Sequence, residues 1–405
     1  MQFTQGNNLP KVKLSNQAAI HRMVYQRGPI TRAEIAGRLG LTLPTITTNI
    51  NRMIARGIVR EAGSFISETN AAVRKASLID IVPDSRYFVG VEMRAVARHL
   101  CVTDYRGNVV YSREETTNRP DYEENIRATC GMLRETLTGC GVPSGQIAGV
   151  GFCVPGLVDG ESGILRNHPG YHWVNRNIPE DVARLAGWEG HVAVENNACA
   201  RAFGAQLFRR ELLNDVLSFA YFFISAGIAC PLIVKSLDSS GILVGSGEVG
   251  HMVMNPNGPR CSCGNRGCLE TYSSDRTIVT LALEALRAGE APALKALCGD
   301  GTPTIAQLLQ AQTDPAIRRI VDTAISQLGI AIANINNFVR PHSLLIEGKL
   351  FQSGENQERL LETVRRNLYT THADTRFLFI EPEAYSGARG AAAMAILNDL
   401  NTYIE

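Results

Sequence analysis

Three cysteines and one histidine lie close together in the second half of the sequence. The segment Glu248–His251 is followed by Cys261, Cys263 and Cys268, and Glu270 comes two residues after the last cysteine. Three thiolates and one imidazole have the number and type of ligands that form a closed tetrahedral Zn²⁺ site. The sequence therefore predicts that this histidine and the three cysteines bind one zinc ion.

The glycines of this segment favour zinc binding over the alternative, three unrelated reduced cysteines in a loop. Gly258, Gly264 and Gly267 permit the tight turns that direct successive sulfur atoms toward one ion. Four protein ligands leave no position for a water molecule, so the predicted zinc ion is structural and not catalytic. Glu248 and Glu270 lie beside this site, where they either contact a ligand or brace the zinc-binding segment.

A group of arginines lies far from this cluster, near the N terminus. Residues 15–61 contain seven arginines and two glutamates, which gives 7 − 2 = +5, whereas the net charge of the whole chain is +1. Cations that lie near phosphates release condensed counterions, so a local basic charge is typical of a nucleic-acid-binding domain.

Helix signals in the same region predict a helix-turn-helix. Thr31 and Glu34 form a capping box at the start of a second helix that ends at Gly40, and Thr42 caps a third helix. The apolar spacing of the third helix predicts a buried stripe. This stripe contains Ile46, Ile50, Met53 and Ile54.

The outward face of the third helix is polar and suits the major groove of DNA. Hydroxyl, amide and guanidinium groups can bond both base edges and phosphates. Two short strands up to Lys75 predict a wing behind this helix. A three-helix protein-interaction module has the same periodicity, but the local charge of +5 favours DNA. The predicted DNA-binding residues are Thr45, Thr47, Thr48, Asn51 and Arg52.

Length and cysteine usage restrict the class of protein. The 405 residues are enough for two or three domains. Seven of the ten cysteines are isolated, which is typical of core thiols in a reducing cytosol and not of a disulfide framework. The sequence shows no signal-peptide pattern and no run of about 18 apolar residues, so we expect a cytoplasmic protein with no membrane partner.

The rest of the sequence predicts an α/β body with two similar halves. Each half opens with apolar strands separated by turns, first near Val89–Glu92 and again within 218–244. A buried strand ends at Glu195, and Asn196 and Asn197 follow it, where open α/β sheets bind ligands. The sequence predicts helices over 121–139, 198–209, 304–311, 314–338 and 391–400, and a strand over 343–347.

On these motifs the chain resembles the ROK family, which contains sugar kinases and transcriptional regulators. The zinc segment is the most specific of the motifs, and the winged helix ahead of the body resembles the regulator branch. The other matching motifs are Gly151-x3-Pro155-Gly156, Val194–Ala198, Asn334-x2-Asn337-x3-Pro341 and Ala388–Ala392. The resemblance covers essentially the whole chain. It implies an N-terminal winged helix-turn-helix plus an α/β, two-lobed, actin-like ATPase fold with a sugar pocket between the lobes.

The chain departs from the family's kinases at the segments that contact ATP. Where the kinases have Asp-x-Gly-Gly-Thr, this sequence has Glu92–Val96, without glycines or a hydroxyl. The second phosphate loop is Ser225–Pro231, and proline offers no N–H to a phosphate. The third phosphate loop has Gly348 followed by Lys349, where the kinases have a second glycine. Asn197 stands where the kinases have an aspartate, and an amide cannot act as the general base. The sequence therefore predicts no sugar kinase activity.

Sugar binding does not require those phosphate loops. By resemblance, the sugar-contacting positions are Asn196, Asn197, Glu248, His251 and Glu270. Amides and carboxylates can bond the hydroxyl groups of a sugar from one side of a cleft. Trp173 lies in the region that often caps the sugar, where it either stacks on a ring face or belongs to the core, and His168 and His172 are interpreted as surface or loop residues.

The predicted domains are a tail (1–14), a winged helix-turn-helix (15–80), a first lobe (86–200 with 384–405) and a second lobe (201–383) with the zinc loop. The predicted function is transcriptional regulation of carbohydrate-metabolism genes, as a DNA-binding repressor. Its predicted partners are operator DNA, a sugar or sugar phosphate, and further copies of the chain in a homodimer or larger assembly. The alternatives are a sugar kinase with an added DNA-binding domain and a regulator controlled by a protein partner.

Overall fold

The computed structural model describes residues 9–69, 72–116, 118–168, 170–213, 216–235, 242–245, 247–369 and 374–402. They form two compact units. The first unit extends to Leu212 and includes the C-terminal segment from Tyr385. The second unit contains Leu213–Lys235 and Gly241–Ala384. No helix within the described residues combines the length and apolar character needed to cross a membrane.

The first unit begins with a winged helix. Its three strands form an antiparallel sheet in the order β1-β3-β2, and its three helices pack on one core. The elements are α1 (Leu9–Arg27), β1 (Ile30–Thr31), α2 (Arg32–Leu39), α3 (Leu43–Ala55), β2 (Val59–Thr69) and β3 (Ala72–Ile81).

Local signals determine this part of the fold. The hydroxyl of Thr31 accepts a bond from the Glu34 amide at 3.2 Å, and the Glu34 carboxylate accepts one from the Thr31 amide at 3.0 Å. Gly40 ends α2 with φ of 63°, and Thr42 caps α3. The predicted helices, caps and buried stripe are confirmed: Ile46, Ile50 and Met53 are fully buried, and Ile54 is half-buried.

The rest of the first unit is an α/β body. Its main sheet has the order β11-β7-β4-β5-β6, and a smaller sheet has the order β10-β9-β8. In chain order the elements are β4 (Tyr87–Met93), β5 (Ala97–Asp104), β6 (Val109–Thr116), α4 (Tyr122–Gly139), β7 (Ile147–Val154), β8 (Leu157–Asp159), β9 (Ile164–Asn167), β10 (Val174–Asn177), α5 (Ile178–Ala186), β11 (Val192–Asn196), α6 (Asn197–Phe208) and α7 (Arg210–Leu213).

The second unit has a mixed sheet in the order β15-β14-β12-β16-β17, with β13 paired to β12. Strands β12, β16 and β17 are parallel, so their N-terminal ends lie at one edge of the sheet. The elements are β12 (Ser218–Ile224), β13 (Ile228–Ala229), β14 (Leu232–Val234), β15 (Ile242–Val244), α8 (Glu270–Ser273), α9 (Asp275–Arg287), α10 (Pro292–Cys298), α11 (Ile305–Gln310), α12 (Pro315–Val339), β16 (Ser343–Glu347), α13 (Gly354–Asn367) and β17 (Arg376–Ile380).

The last helix, α14 (Ser386–Asn401), packs on the main sheet of the first unit and on α6. Its alanine-rich face approaches the strands so closely that glycine is required opposite it. A Cβ atom on Gly90 would lie 1.8 Å from the Ala388 carbonyl oxygen, and one on Gly151 would lie 2.0 Å from that of Ala391. Small residues on both elements therefore hold the helix against the sheet.

The unit boundaries differ from the predicted lobes near residue 200. The sequence analysis ended the first lobe at residue 200, but α6 runs on to Phe208 and packs against α14. The first unit therefore continues to Leu212 and also includes the winged helix. Helix α1 begins at Leu9, inside the segment that was predicted to be a tail.

Candidate metal centre and nucleic-acid interface

The predicted zinc ligands converge in the second unit. One donor atom from each of His251, Cys261, Cys263 and Cys268 lies within 4.8 Å of all the others. The Cys261 sulfur is 3.6 Å from Nδ1 of His251, and the sulfurs of Cys263 and Cys268 are 3.7 Å apart. Ligands bound tetrahedrally to one zinc ion at ordinary bond lengths lie about 3.8 Å apart for two sulfurs and about 3.6 Å for sulfur and nitrogen. The donor set and its spacing therefore fit a structural zinc ion.

A small hairpin-like loop brings these residues together. The Cys261 amide donates to the Asn265 carbonyl at 2.8 Å, and Cys268 forms an isolated bridge with Val253. Gly267 has φ of 64°, and a Cβ atom there would lie 1.7 Å from the Asn255 carbonyl oxygen. Because only glycine fits this turn, the loop can place the second and third cysteines on one side.

The two acidic residues beside the cluster differ in their surroundings. Oε1 of Glu270, at the start of α8, accepts a bond from the Ile228 amide at 2.9 Å. Glu248 is exposed and precedes a 3-10 helix that covers Val249–His251. Glu270 therefore holds the start of strand β13 with one carboxylate oxygen.

The predicted sugar-contacting amides lie at the end of β11 in the first unit. Asn196 is buried, its Oδ1 caps α6 by accepting from the Ala198 amide at 2.7 Å, and its Nδ2 donates to the Gly156 carbonyl at 2.8 Å. Asn197 is half-buried in the first turn of α6. The side chain of Asn196 thus makes contacts that fix the end of the strand.

Glu195, next to these amides, was not identified from the sequence. Burial raises its pKa to about 7, although the bond from the Asn196 amide opposes this shift. A carboxyl group at the end of a β-strand is common, and only its burial in the fold distinguishes this one.

A buried ion pair lies where the resemblance placed the first phosphate loop. At the end of β4, Glu92 accepts two bonds from Arg201 of α6, at 3.1 Å and 3.3 Å, and both side chains are almost fully buried. Burial alone would raise the pKa of Glu92, but the positive charges of Arg201 and Arg94 hold it below its ordinary value. The Glu92 carboxylate is therefore ionised and bonded to protein groups. Arg201 was not singled out from the sequence.

The other two departures from the phosphate loops lie in the second unit. The Ser225 amide donates to the Gly227 carbonyl at 2.9 Å, and Pro231 precedes β14 without an amide hydrogen. Glu347, at the end of β16, is buried and accepts a bond from the Tyr221 hydroxyl at 2.5 Å. The Ser225 amide and the Glu347 carboxylate are therefore bonded within the protein, and Pro231 has no amide hydrogen to offer.

Helix α3 presents the predicted DNA-binding residues. Thr48, Asn51 and Arg52 are exposed, and Thr45 and Thr47 are half-buried. The Thr45 hydroxyl lies 2.9 Å from that of Thr42, and Oδ1 of Asn51 accepts a bond from Arg32 at 3.4 Å. The five side chains therefore lie on the accessible part of one helix, with two of them oriented by neighbours.

The winged helix is joined to the α/β body by a buried polar cluster. The hydroxyl of Tyr105, after β5, lies 3.1 Å from Nε2 of His21 on α1 and donates to Asp399 of α14, which also pairs with Arg86. Burial, with the positive charges of Arg86 and Arg22, lowers the pKa of His21 to about 3. None of these contacts was predicted, because each joins residues distant in the sequence.

Two arginines fix the other end of the same helix. Arg106 and Arg210 each donate to the Tyr25 carbonyl, at 2.6 Å and 2.8 Å. Carbonyl groups at a helix C-terminus have no partner within the helix and carry partial negative charge. The guanidinium groups satisfy them, so α1 is held by the body at its middle and at its end.

The aromatic residues after β9 belong to the core of the first unit. Trp173 is 2% exposed, and its indole N–H donates to the Pro120 carbonyl at 2.7 Å. His168 is also buried, with its ring 4.6 Å from that of Trp173. Of the two open interpretations of Trp173, the core role is the observed one. Of the two interpretations of His168, a surface or a loop residue, the loop position after β9 is observed, but the ring is buried in this cluster.

Comparisons with known proteins cover nearly the whole chain. The model of the ROK family matches residues 88–397, and that of a winged helix-turn-helix DNA-binding domain matches residues 15–60. The xylose repressor of Bacillus subtilis is 27% identical over 344 residues, 84% of each chain. The N-acetylglucosamine repressor of Escherichia coli O157:H7 is 24% identical over 365 residues, which are 86% of this chain and 84% of the repressor.

Two solved structures show the fold. A ROK family transcriptional regulator described as a homolog of the E. coli MLC protein has a TM-score of 0.79 at 22% identity and covers 96% of this chain and 97% of its own. A ROK family glucokinase from Streptomyces griseus, in complex with glucose and AMPPNP, has a TM-score of 0.65 at 23% identity over 76% of this chain and 99% of its own. These likenesses confirm the predicted winged helix-turn-helix and two-lobed sugar-kinase fold.

Proposed function

This chain belongs to the ROK family, and we propose that it is a DNA-binding transcriptional repressor of carbohydrate-metabolism genes that senses a sugar and transfers no phosphate. The observation that carries the proposal is the combination of an exposed polar helix α3 with a buried Glu92–Arg201 ion pair. The first feature is an interface for DNA, and the second occupies a position that a kinase needs for ATP.

DNA binding is proposed for the exposed face of α3. Thr45, Thr47, Thr48, Asn51 and Arg52 are the side chains that would contact base edges or phosphates in a major groove. The basic charge of residues 15–61 supports this proposal, since phosphate neutralisation supplies much of the affinity for DNA. The xylose and N-acetylglucosamine repressors that resemble the chain support the repressing sense.

Sugar binding is proposed for Asn196, Asn197, Glu248, His251 and Glu270. Asn197 is partly exposed, Glu248 is exposed, and only one carboxylate oxygen of Glu270 takes part in the bond to the Ile228 amide. Amides and carboxylates in such positions can bond the hydroxyl groups of a sugar. The internal bonds of Asn196 and Glu270 would keep these two side chains in one orientation before a sugar arrives. Such preorganisation lowers the entropic cost of binding.

The chemistry of three positions supports the proposed absence of phosphate transfer. Asn197 cannot take the proton of an attacking hydroxyl. The Glu92 carboxylate, neutralised by Arg201, is a poor ligand for the magnesium ion that accompanies ATP. Pro231 offers no amide hydrogen to a phosphate oxygen. Phosphate transfer to a hexose by the purified protein, above the rate without protein, would contradict this part of the proposal.

The zinc ion that we propose for His251 and the three cysteines would be structural. Its four protein ligands would fix the loop between β15 and α8, and with it the backbone on both sides of Glu248 and Glu270. The protein would act in the cytoplasm, where DNA and reduced thiols coexist. A homodimer would present two winged helices to the paired half-sites of an operator.

Loss of Arg52 tests the DNA interface. The variant Arg52→Ala should weaken binding to a duplex that the wild type selects from a random library, and should reduce the slope of log affinity against log salt by about one if Arg52 neutralises a phosphate. The matched control is Arg287→Ala, in α9 of the second unit. Equal affinity of wild type and Arg52→Ala at one salt concentration would remove Arg52 from the interface.

A further inference from the structure

Two aromatic side chains at one end of the second unit are almost fully exposed. Phe338, in the last turn of α12, is 90% exposed, and Tyr369, after α13, is 86% exposed. Val339, next to Phe338 in the sequence, and Leu217, directly before β12, are also exposed. Single exposed apolar residues are common, but a group of them that includes two aromatic rings is typical of an interaction surface. We call Leu217, Phe338, Val339 and Tyr369 the aromatic end.

Hydrogen bonds fix the backbone that presents these rings. Nδ2 of Asn337 donates to the Asn367 carbonyl at 3.1 Å, and the Tyr369 amide donates to Oδ1 of Asn337 at 3.0 Å. The ends of α12 and α13 are therefore joined directly before the two aromatic residues. A fixed backbone lowers the entropy that binding would cost.

The aromatic end lies at the edge of the sheet where the parallel strands begin. The amide of His342, just ahead of β16, donates to the Ser218 carbonyl at the start of β12, and the Arg376 amide at the start of β17 donates to the His342 carbonyl. The opposite edge contains Glu347 and the segment after Ile224, where the departures from the phosphate loops lie. The aromatic end is thus at the other edge from these segments and from Glu270, which bonds the Ile228 amide shortly after Ile224.

Positive charge surrounds the aromatic end. The segments 336–342 and 362–376 contain four described arginines and only two described carboxylates, Glu362 and Asp374. The arginines are Arg340, Arg365, Arg366 and Arg376, and all four are exposed. Among the described residues, no ion pair joins Arg340, Arg365 or Arg366 to a carboxylate. These charges are therefore available to a partner.

We propose that the aromatic end is a docking surface for a second, acidic protein, which places an apolar centre on Phe338 and Tyr369 and carboxylates against the surrounding arginines. Aromatic residues and arginine are the types that supply most of the binding energy in protein interfaces. A two-fold contact between copies of this chain would bring two copies of this net-positive surface together, and surfaces of like charge oppose association. The occupant is for this reason a different protein.

Two matched peptides test this assignment on the full-length protein. Both are amphipathic helices with the same leucine and phenylalanine stripe, and their polar positions are all glutamate in one and all lysine in the other. We expect the glutamate peptide to bind, with affinity that falls as salt rises, and the lysine peptide to bind at least tenfold more weakly. Fluorescence anisotropy of labelled peptides measures both affinities.

Variants then locate the binding. Phe338→Ser with Tyr369→Ser should reduce affinity for the glutamate peptide at least tenfold. Arg365→Glu with Arg366→Glu should reduce the affinity and weaken its dependence on salt. Val110→Ser, which changes an exposed residue of β6, is the control and should bind as the wild type does. Circular dichroism of each variant verifies that it is folded.

Three outcomes would overturn the proposal. The first is equal affinity for the two peptides, or binding that the Phe338 and Tyr369 variants leave unchanged. The second is self-association of the wild type that the same variants abolish in sedimentation velocity, which would assign the face to a second copy of the chain. The third is binding of non-specific duplex DNA that depends on Arg365 and Arg366 but not on Phe338, which would assign it to nucleic acid.

Discussion

The hydroxyl oxygen of Tyr105 lies 3.1 Å from Nε2 of His21, although 84 residues separate the two in the sequence. His21 belongs to the winged helix and Tyr105 to the α/β body, and both are fully buried. The Tyr105 hydroxyl donates to Asp399 at the end of α14, so three elements meet at this oxygen. The DNA-binding helices are therefore attached to the body of the first unit by a specific polar contact.

The variant Tyr105→Phe should be less stable than the wild type. The substitution removes the hydroxyl that contacts His21 and the Asp399 carboxylate, both of which are buried. A buried polar group that loses its hydrogen-bond partner costs about 1–3 kcal/mol. Urea unfolding followed by circular dichroism measures the change. Tyr111→Phe, on the half-buried strand β6, is the matched control and should change the free energy of unfolding by less than about 0.5 kcal/mol. Equal effects of the two variants would refute the role of the buried cluster.

The buried His21 should make stability depend on pH in acid. Its pKa is lowered from 6.5 to about 3 by burial first and then by Arg86 and Arg22, so the folded state keeps it neutral. Between these values the unfolded chain binds a proton that the folded chain does not, and this contribution to stability is lost as pH falls from about 6.5 toward about 3. The slope is about 1.4 kcal/mol per pH unit.

Comparison with His21→Asn isolates this effect. Burial also raises the pKa of Asp399, which by itself would stabilise the folded state as pH falls. This contribution is present in both proteins and cancels in the comparison. Between about pH 6.5 and pH 3, the difference in free energy of unfolding between wild type and His21→Asn should therefore change with the slope of one proton, about 1.4 kcal/mol per pH unit. Parallel curves from pH 6.5 to pH 4 would show that His21 is protonated in the folded protein.

Breaking the Glu92–Arg201 ion pair on one side should be strongly destabilising. Arg201→Leu leaves a buried carboxylate without its partner, and such changes cost about 3–5 kcal/mol. The double variant Glu92→Leu with Arg201→Leu removes both charges and should recover most of the loss. Denaturant unfolding of the wild type, the two single variants and the double variant measures the coupling. Additive effects would show that the two side chains do not act as a pair.

Cys263→Ser should release the proposed zinc ion. The wild type should contain about one zinc per chain, and the variant close to none with a lower midpoint of thermal unfolding, because the ion contributes folding free energy. Atomic emission measures the metal after dialysis against a weak chelator. Cys298→Ser, outside the cluster, should retain the metal. Zinc content that is unchanged in Cys263→Ser would exclude this cysteine as a ligand.

Local sequence signals predicted the second and third helices of the winged helix almost residue by residue, whereas the wing strands β2 and β3 are longer than the two short strands that were predicted. The bond between Thr31 and Glu34 spans three residues and the turn at Gly40 depends on one residue, so composition and spacing were sufficient. The grouping of His251 with the three cysteines was predicted for a similar reason, since these residues fall within a stretch of 18 residues and glycines shape the loop between them.

The contacts that connect elements could not be predicted in this way. Arg201 and Glu92 are 109 residues apart, and Tyr105 and Asp399 are 294 apart. Nothing in the composition of either partner indicates the other, because the pairing depends on how the strands and helices pack. The strands β8–β10 and β17 were also missed. They are three to five residues long, and such short strands provide little periodicity.

Operator affinity measured against sugar concentration tests the central claim most directly. The protein would first select a duplex from a random library, and its affinity for that duplex would then be titrated with a panel of sugars and sugar phosphates at constant salt. We predict that at least one of them lowers the affinity about fivefold or more, which corresponds to a coupling free energy of at least about 1 kcal/mol. Tight operator binding that no sugar or sugar phosphate changes, at concentrations up to saturation, would contradict the sensing function.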